Sequence, residues 1–121
     1  MKKGTVFLIE DDKALTGVEE RFIQEEGHKI VLIASSRQEA LDKINQAKEL
    51  GVNVAVIDGN LGTGPNDGPE VAQALRETIV GIKIISFSGD VVDWGDFNPK
   101  KPSEIVILGE TVTKSISGGK E

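Results

Sequence analysis

The chain has 121 residues, a formal net charge of −6 and no cysteine. That length fits one domain, expected to span 1–121, with a core large enough to stand without covalent staples. The absent cysteines exclude a disulfide framework, a thiolate metal site and a cysteine nucleophile. The acidic balance argues against direct nucleic-acid binding by this chain.

Met1-Lys2-Lys3-Gly4 runs at once into Thr5 to Ile9, a β-branched apolar stretch too short for a signal-peptide core or a membrane span. The expectation is a cytoplasmic protein with no membrane association. A continuous apolar run of this kind fits a strand buried on both faces, as in a parallel sheet. Glu10, Asp11 and Asp12 end it, Asp12 reading as a helix cap. Leu15, Val18, Phe22 and Ile23 then mark one face of a helix that Gly27 terminates. Lys29 to Ala34 is a second strand. Ser36 and Glu39 form a capping box opening a helix with Ala40, Leu41, Ile44, Ala47 and Leu50, closed by Gly51.

Val52 to Ile57 is a third strand that delivers Asp58, followed by a glycine-rich loop to Gly68. Pro69 begins a helix with Val71, Ala74, Leu75 and Ile79. Lys83 to Phe87 is a fourth strand leading to Ser88 and Gly89. Residues 89–102 are too short for a full amphipathic helix plus a strand. Asp96-Phe97-Asn98 reads as a short fifth strand, at the sheet edge because Pro99 cannot donate to a ladder. From Ser103 the text supports a last helix using Ile105, Leu108, Val112 and Ile116, although Ile105 to Leu108 reads equally well as strand on propensity alone. Residues 117–121 are expected to fray. The alternation of strands and helices predicts an α/β fold with a parallel sheet covered on both faces.

In such a sheet, ligands lie beyond the carboxyl ends of the strands, where the strand order reverses. Glu10 and Asp11 follow the first strand, Asp58 the third and Ser88 the fourth. If the first and third strands are neighbours, these carboxylates converge, and their burial is costly unless a cation joins them. Oxygen ligands without histidine or cysteine suit Mg²⁺ or Mn²⁺. His28 reads as an exposed residue at the start of the second strand rather than a ligand.

Ile9-Glu10-Asp11-Asp12, Val56-Ile57-Asp58-Gly59-Asn60-Leu61, Ile85-Ser86-Phe87-Ser88-Gly89 and Lys101-Pro102 together resemble the receiver domain of bacterial two-component response regulators. The likeness is to the chemotaxis regulators and covers nearly the whole chain. It implies a five-stranded, doubly wound, flavodoxin-like sheet of order 2-1-3-4-5. It also implies that Asp58 is a phosphoacceptor, that Asp11, Asp58 and the Asn60 carbonyl hold Mg²⁺ directly, and that Glu10 acts through a metal-bound water. Ser88 and Lys101 would contact the phosphoryl group, Gly89 would keep its approach open, and Lys101-Pro102 would be a cis peptide. Asn60 and Asp90 would flank the path of the hydrolytic water, giving quick self-dephosphorylation. The implied partners are a histidine kinase or histidine phosphotransfer protein and an output partner.

Two departures from the family stand out. Gly62 occupies a place usually held by proline, in a loop about two residues longer than usual. The stretch between Ser88 and Lys101 is shortened, so the helix that follows the fourth strand should be reduced or missing. Side chains alternate there, so only one of Lys100 and Lys101 can face the pocket, and Lys101 is favoured. Two competing readings are a receiver-fold interaction module that works without phosphorylation, and an aspartyl-phosphate phosphatase. The phosphatase pattern needs a second acid where Asn60 stands.

Overall fold

The computed structural model of the chain describes residues 3–117; beyond Ser117, the tail expected to fray lies outside the described residues. The strands β1 (Thr5–Ile9), β2 (Lys29–Ala34), β3 (Val54–Asp58) and β4 (Lys83–Phe87) form one parallel sheet in the order β2-β1-β3-β4. β1 shows why its apolar run is unbroken. Phe7 and Ile9 enter one core layer and Val6 and Leu8 the other, so none of these four faces water.

One layer is covered by α1 (Lys13–Glu25) and α5 (Leu108–Ile116), through Ile23, Leu108, Val112 and Ile116. The other is covered by α2 (Arg37–Asp42), α3 (Ile44–Glu49) and α4 (Asp67–Thr78), through Ala40, Ile44, Ala47, Val71 and Leu75. The receiver-like, doubly wound α/β architecture expected from the sequence is therefore present.

The fifth strand is not a ladder. Its place is taken by two isolated parallel bridges, Ile85 with Phe97 and Ser88 with Lys100. Pro99 lies between them without an N–H to donate. Polar side chains add to the few backbone bonds that tie this segment to β4. Asp96 Oδ2 accepts the Ile84 N–H at 2.8 Å, and the Ser86 hydroxyl lies 2.6 Å from Asn98 Oδ1. No helix forms between β4 and Glu104, so the expected loss of the helix after the fourth strand is complete.

Several boundaries shift for identifiable reasons. The helix expected from Ser36 to Leu50 breaks at Lys43, which leaves helical geometry at φ −99° and ψ 3°. The Lys43 ammonium reaches the Ile33 carbonyl at 2.9 Å. α4 starts at Asp67 rather than Pro69, which places Pro69 inside the first turn, where its missing N–H would have no helical partner anyway. At the C-terminus the helical reading holds. Ile105–Ile107 form a 3₁₀ turn that feeds α5. Gly109 weakens α5 as a helix former, but a methyl group there would overlap the Phe22 carbonyl, so the glycine lets α5 approach α1 closely.

His28 is buried, not exposed as the sequence suggested. Its Nδ1 accepts the Gly4 N–H at 2.8 Å, which leaves Nε2–H to donate to the Gly109 carbonyl at 3.1 Å. The ring thus ties the edge of the sheet to α5. Burial, the largest influence, holds its pKa below the usual histidine value.

Candidate functional site

Parallel pairing of β1 with β3 puts Ile9 opposite Ile57, so the next residues of both strands, Glu10 and Asp58, emerge side by side. β3 pairs with β4 so that Asp58 lies opposite Phe87, with Ser88 one step beyond. Glu10, Asp11 and Asp58 each offer a carboxylate oxygen within 4.8 Å of the others. Glu10 and Asp58 are buried, while Asp11 is exposed.

Lys101 closes this cluster from the far side. Its ammonium lies 2.9 Å from both Glu10 oxygens and 3.1 Å from Asp58 Oδ2. The neighbouring Lys100 is exposed, and its backbone N–H donates to Glu104 at 2.6 Å. Alternation therefore resolves the two lysines in favour of Lys101, and Lys101-Pro102 is cis. Glu10 Oε2 also accepts the Asp12 N–H at 3.1 Å.

The charges shift one another in consistent directions. Burial, then the Glu10 charge, raises the pKa of Asp58. Partial burial and then Asp58 raise that of Asp11. Burial pulls the Lys101 pKa down, but the hydrogen bond and charge of Glu10, with Asp58 behind them, outweigh it and leave a net rise. Three carboxylates face one ammonium, with no nitrogen or sulfur donor among them. That donor set fits a hard divalent cation.

On the other side of Asp58 lies a cleft of about 210 Å³. Its polar lining includes Asp58, Asn60, Ser88, Asp90 and Lys101, and Gly89 also borders it. The Ser88 hydroxyl oxygen accepts the Asp90 N–H at 3.1 Å. The backbone is more crowded at Gly59 than at Gly89. A methyl at Gly59 would lie 3.1 Å from Ser88 Oγ, whereas at Gly89 the nearest atom, the Lys101 carbonyl oxygen, would be 3.8 Å away. Asn60 is exposed. Its side-chain oxygen accepts the Gly62 N–H at 2.9 Å, and its own N–H approaches Asp58 Oδ1 at 3.4 Å.

Residues not singled out as site candidates from the sequence also shape the site. Asp67 is buried beneath the glycine-rich loop, where it accepts the Leu61 and Thr63 N–H groups at 2.9 Å each and pairs with the Thr63 hydroxyl. These bonds outweigh the opposing effect of burial and hold its pKa below the usual aspartate value. Trp94 lines the cleft from the segment that replaces the missing helix. Glu19 of α1 is fully buried; no N–H or hydroxyl among the described residues donates to its carboxyl oxygens, and the group beside it is the Glu10 carboxyl. Burial first, and then the neighbouring Glu10 carboxylate, push its pKa up to about 10. Its signal in the sequence was an acid in the apolar stripe, four residues after Leu15 and four before Ile23.

No protein-family model matches the chain, and no curated protein does. Solved structures do. A CheY-like response regulator receiver domain protein from Methanospirillum hungatei superposes with a TM-score of 0.79 at 21% identity, over 97% of this chain and 96% of that one. The signal receiver domain of the putative response regulator NarL from Mycobacterium tuberculosis gives 0.80 at 20% identity, over 98% and 99%. The response regulator PhyR from Brucella abortus gives 0.81 at 17% identity, over 98% of this chain and 49% of that one. At these identities the likeness is one of architecture, and what it establishes is that this chain has the fold of a response-regulator receiver domain.

Proposed function

We propose that the chain is the phosphoacceptor receiver of a two-component system, taking a phosphoryl group onto Asp58 from a phosphohistidine of a histidine kinase or phosphotransfer protein. The observation that carries this reading is the arrangement around Lys101. One ammonium bridges Glu10 and Asp58 at adjacent strand ends, at the edge of a cleft that also presents Ser88. An isolated ion pair would serve stability alone, whereas this one borders open space of phosphoryl size.

In the transfer, an Asp58 oxygen attacks phosphorus, the bond from phosphorus to the donor breaks, and the electron pair leaves with the donor. Little covalent work falls to the protein, so positioning and electrostatics dominate. Ser88 donates its hydroxyl hydrogen to a phosphoryl oxygen, and Lys101 shifts from the carboxylates toward the new anion. Asp11, Asp58 and the Asn60 carbonyl would hold Mg²⁺ or Mn²⁺ directly and Glu10 through water. When bound, the ion neutralises charge on the phosphoryl oxygens. The product is an acyl phosphate on a carboxylate. Asn60 and Asp90 border the route by which water returns to it.

The activity is confined to the domain's own phosphorylation and dephosphorylation, and its output is read by a protein partner in the cytoplasm. No helix among the described residues is long and apolar enough to cross a membrane. The test is direct. Incubation with acetyl phosphate and Mg²⁺ should add one phosphoryl group, and Asp58→Asn should abolish it. Label that persists on another residue of the Asp58→Asn protein refutes the assignment. Binding of a partner at equal affinity to unphosphorylated wild type and Asp58→Asn, with no labelling of either, would favour a phosphorylation-independent module.

A further inference from the structure

The cleft beside Asp58 has a second wall that phosphoryl chemistry does not require. Pro65, Val92 and Trp94 supply it. Trp94 is the only tryptophan of the chain and comes from the segment that stands where a helix is missing. Its ring is seated on bare backbone. A methyl group at Gly68 would lie 2.8 Å from two of its ring carbons, and one at Gly59 would lie 3.8 Å from the ring. That methyl at Gly68 would also meet the Asp58 carbonyl oxygen at 2.6 Å, so the indole rests on the chain that carries the acceptor. The segment that carries Trp94 is pinned to its neighbours. Asp96 accepts the Ile84 N–H and faces Arg76 at 3.5 Å, and Asn98 accepts the Gly95 N–H at 2.9 Å. The chain that follows Trp94 is therefore held in place.

In-line displacement places the leaving group opposite the attacking Asp58 oxygen, toward the open side of the cleft. Whatever departs there touches the lining that Asp58, Ser88 and Lys101 do not supply. We propose that Trp94, backed by Pro65 and Val92, is a specificity-determining residue that selects small acyl-phosphate donors by their leaving group, favouring those with a flat apolar acyl portion. The inference rests on Asp58 being the phosphoacceptor. In the step, the phosphorus–oxygen bond to the acyl group breaks, its electron pair leaves as the carboxylate, and a new phosphorus–oxygen bond forms to Asp58. An aromatic acyl group stacks on the indole face, while an acetyl group has too little surface to do so.

The experiment compares phosphorylation rates with benzoyl phosphate and acetyl phosphate, each with saturating Mg²⁺, in wild type, Trp94→Phe and Trp94→Ala. The quantity read is the ratio of the two rates. Intrinsic reactivity of the donors cancels when that ratio is compared between proteins, and so does any general loss of folding or metal binding. The ratio should fall about two- to tenfold in Trp94→Ala, the range one aromatic contact supplies. Trp94→Phe should retain most of it, and supplies the comparison if Trp94→Ala does not fold, with Trp94→Leu as the non-planar control. An unchanged ratio in Trp94→Ala, or one in Trp94→Leu equal to wild type, overturns the inference while leaving Asp58 as acceptor. Labelling of wild type by acetyl phosphate but not by benzoyl phosphate likewise overturns the role of Trp94 alone, whereas failure of both donors to label wild type overturns the acceptor reading itself, and with it the role of Trp94.

Discussion

Replacing Glu19 by glutamine keeps the shape of the side chain and removes its titration. Folded Glu19 holds its proton until about pH 10, whereas the ordinary value for a glutamate is 4.5. The sign follows from proton binding: above pH 4.5 the unfolded chain has released a proton that the folded chain keeps, so raising the pH favours unfolding. This group's contribution is complete below 4.5 and is lost as the pH rises toward about 10. At ~1.4 kcal/mol per pH unit, ionisable Glu19 costs the native state about 3 kcal/mol at neutral pH, with the opposing pull of Lys101 already counted. Glu19→Gln should therefore match wild type in mild acid and be more stable by up to about 3 kcal/mol near pH 7. Urea unfolding of both proteins at several pH values between about 5 and 8, in EDTA, measures the gap. Asp11, Asp58, His28 and Lys101 titrate in both proteins and drop out to first order. A gap that stays constant across that range, or a glutamine variant less stable at its upper end, would show that Glu19 is ionised in the fold.

Lys101→Met removes the partner of a Glu10 side chain that is only 1% exposed, and should destabilise the metal-free protein by about 3 kcal/mol in urea unfolding. A loss under about 1 kcal/mol would mean that the pair behaves as a surface contact. Mg²⁺ titration followed by Trp94 fluorescence should show Asp11→Asn weakening binding most and Glu10→Gln less; equal affinity in wild type and Asp11→Asn would place the ion elsewhere. Without metal, Asp11→Asn should raise stability by about 1 kcal/mol, since it relieves repulsion from Asp58. Asn60→Met should slow release of phosphate from the phosphorylated protein severalfold, because the Asn60 side-chain oxygen is tied to Gly62 and its amide hydrogens remain to order a water; unchanged release would remove Asn60 from the water's path.

The strand ends were legible because their physics is local. An apolar β-branched run that stops at an acid or a serine marks both a buried strand and the place where its carboxyl end meets solvent, and Glu10, Asp58 and Ser88 each stand at such a stop. The neighbouring lysines at 100 and 101 could be told apart for the same reason, since a period of two leaves only one facing inward. Segment 89–102 was opaque because much of what holds it is distant in the chain. Its backbone is fixed by main-chain bonds to Ile84, Ser86 and Ser88, by Asp96 and Asn98 reaching across to β4, and by an indole seated on glycines some thirty residues earlier in the chain. None of these relations leaves a periodicity to read. His28 failed differently, for its ring is satisfied by Gly4 and by α5, more than eighty residues away. Glu19 is the most instructive case. Amphipathic spacing assigns position 19 to the core, and residue type assigns it to water. The conflict was visible, but its resolution was not, because it lies in Glu10, Asp58 and Lys101, which reach it only after the sheet has formed. An acid on an apolar stripe is a marker of tertiary electrostatics, and in this chain it points from α1 toward the pocket where the other acids converge.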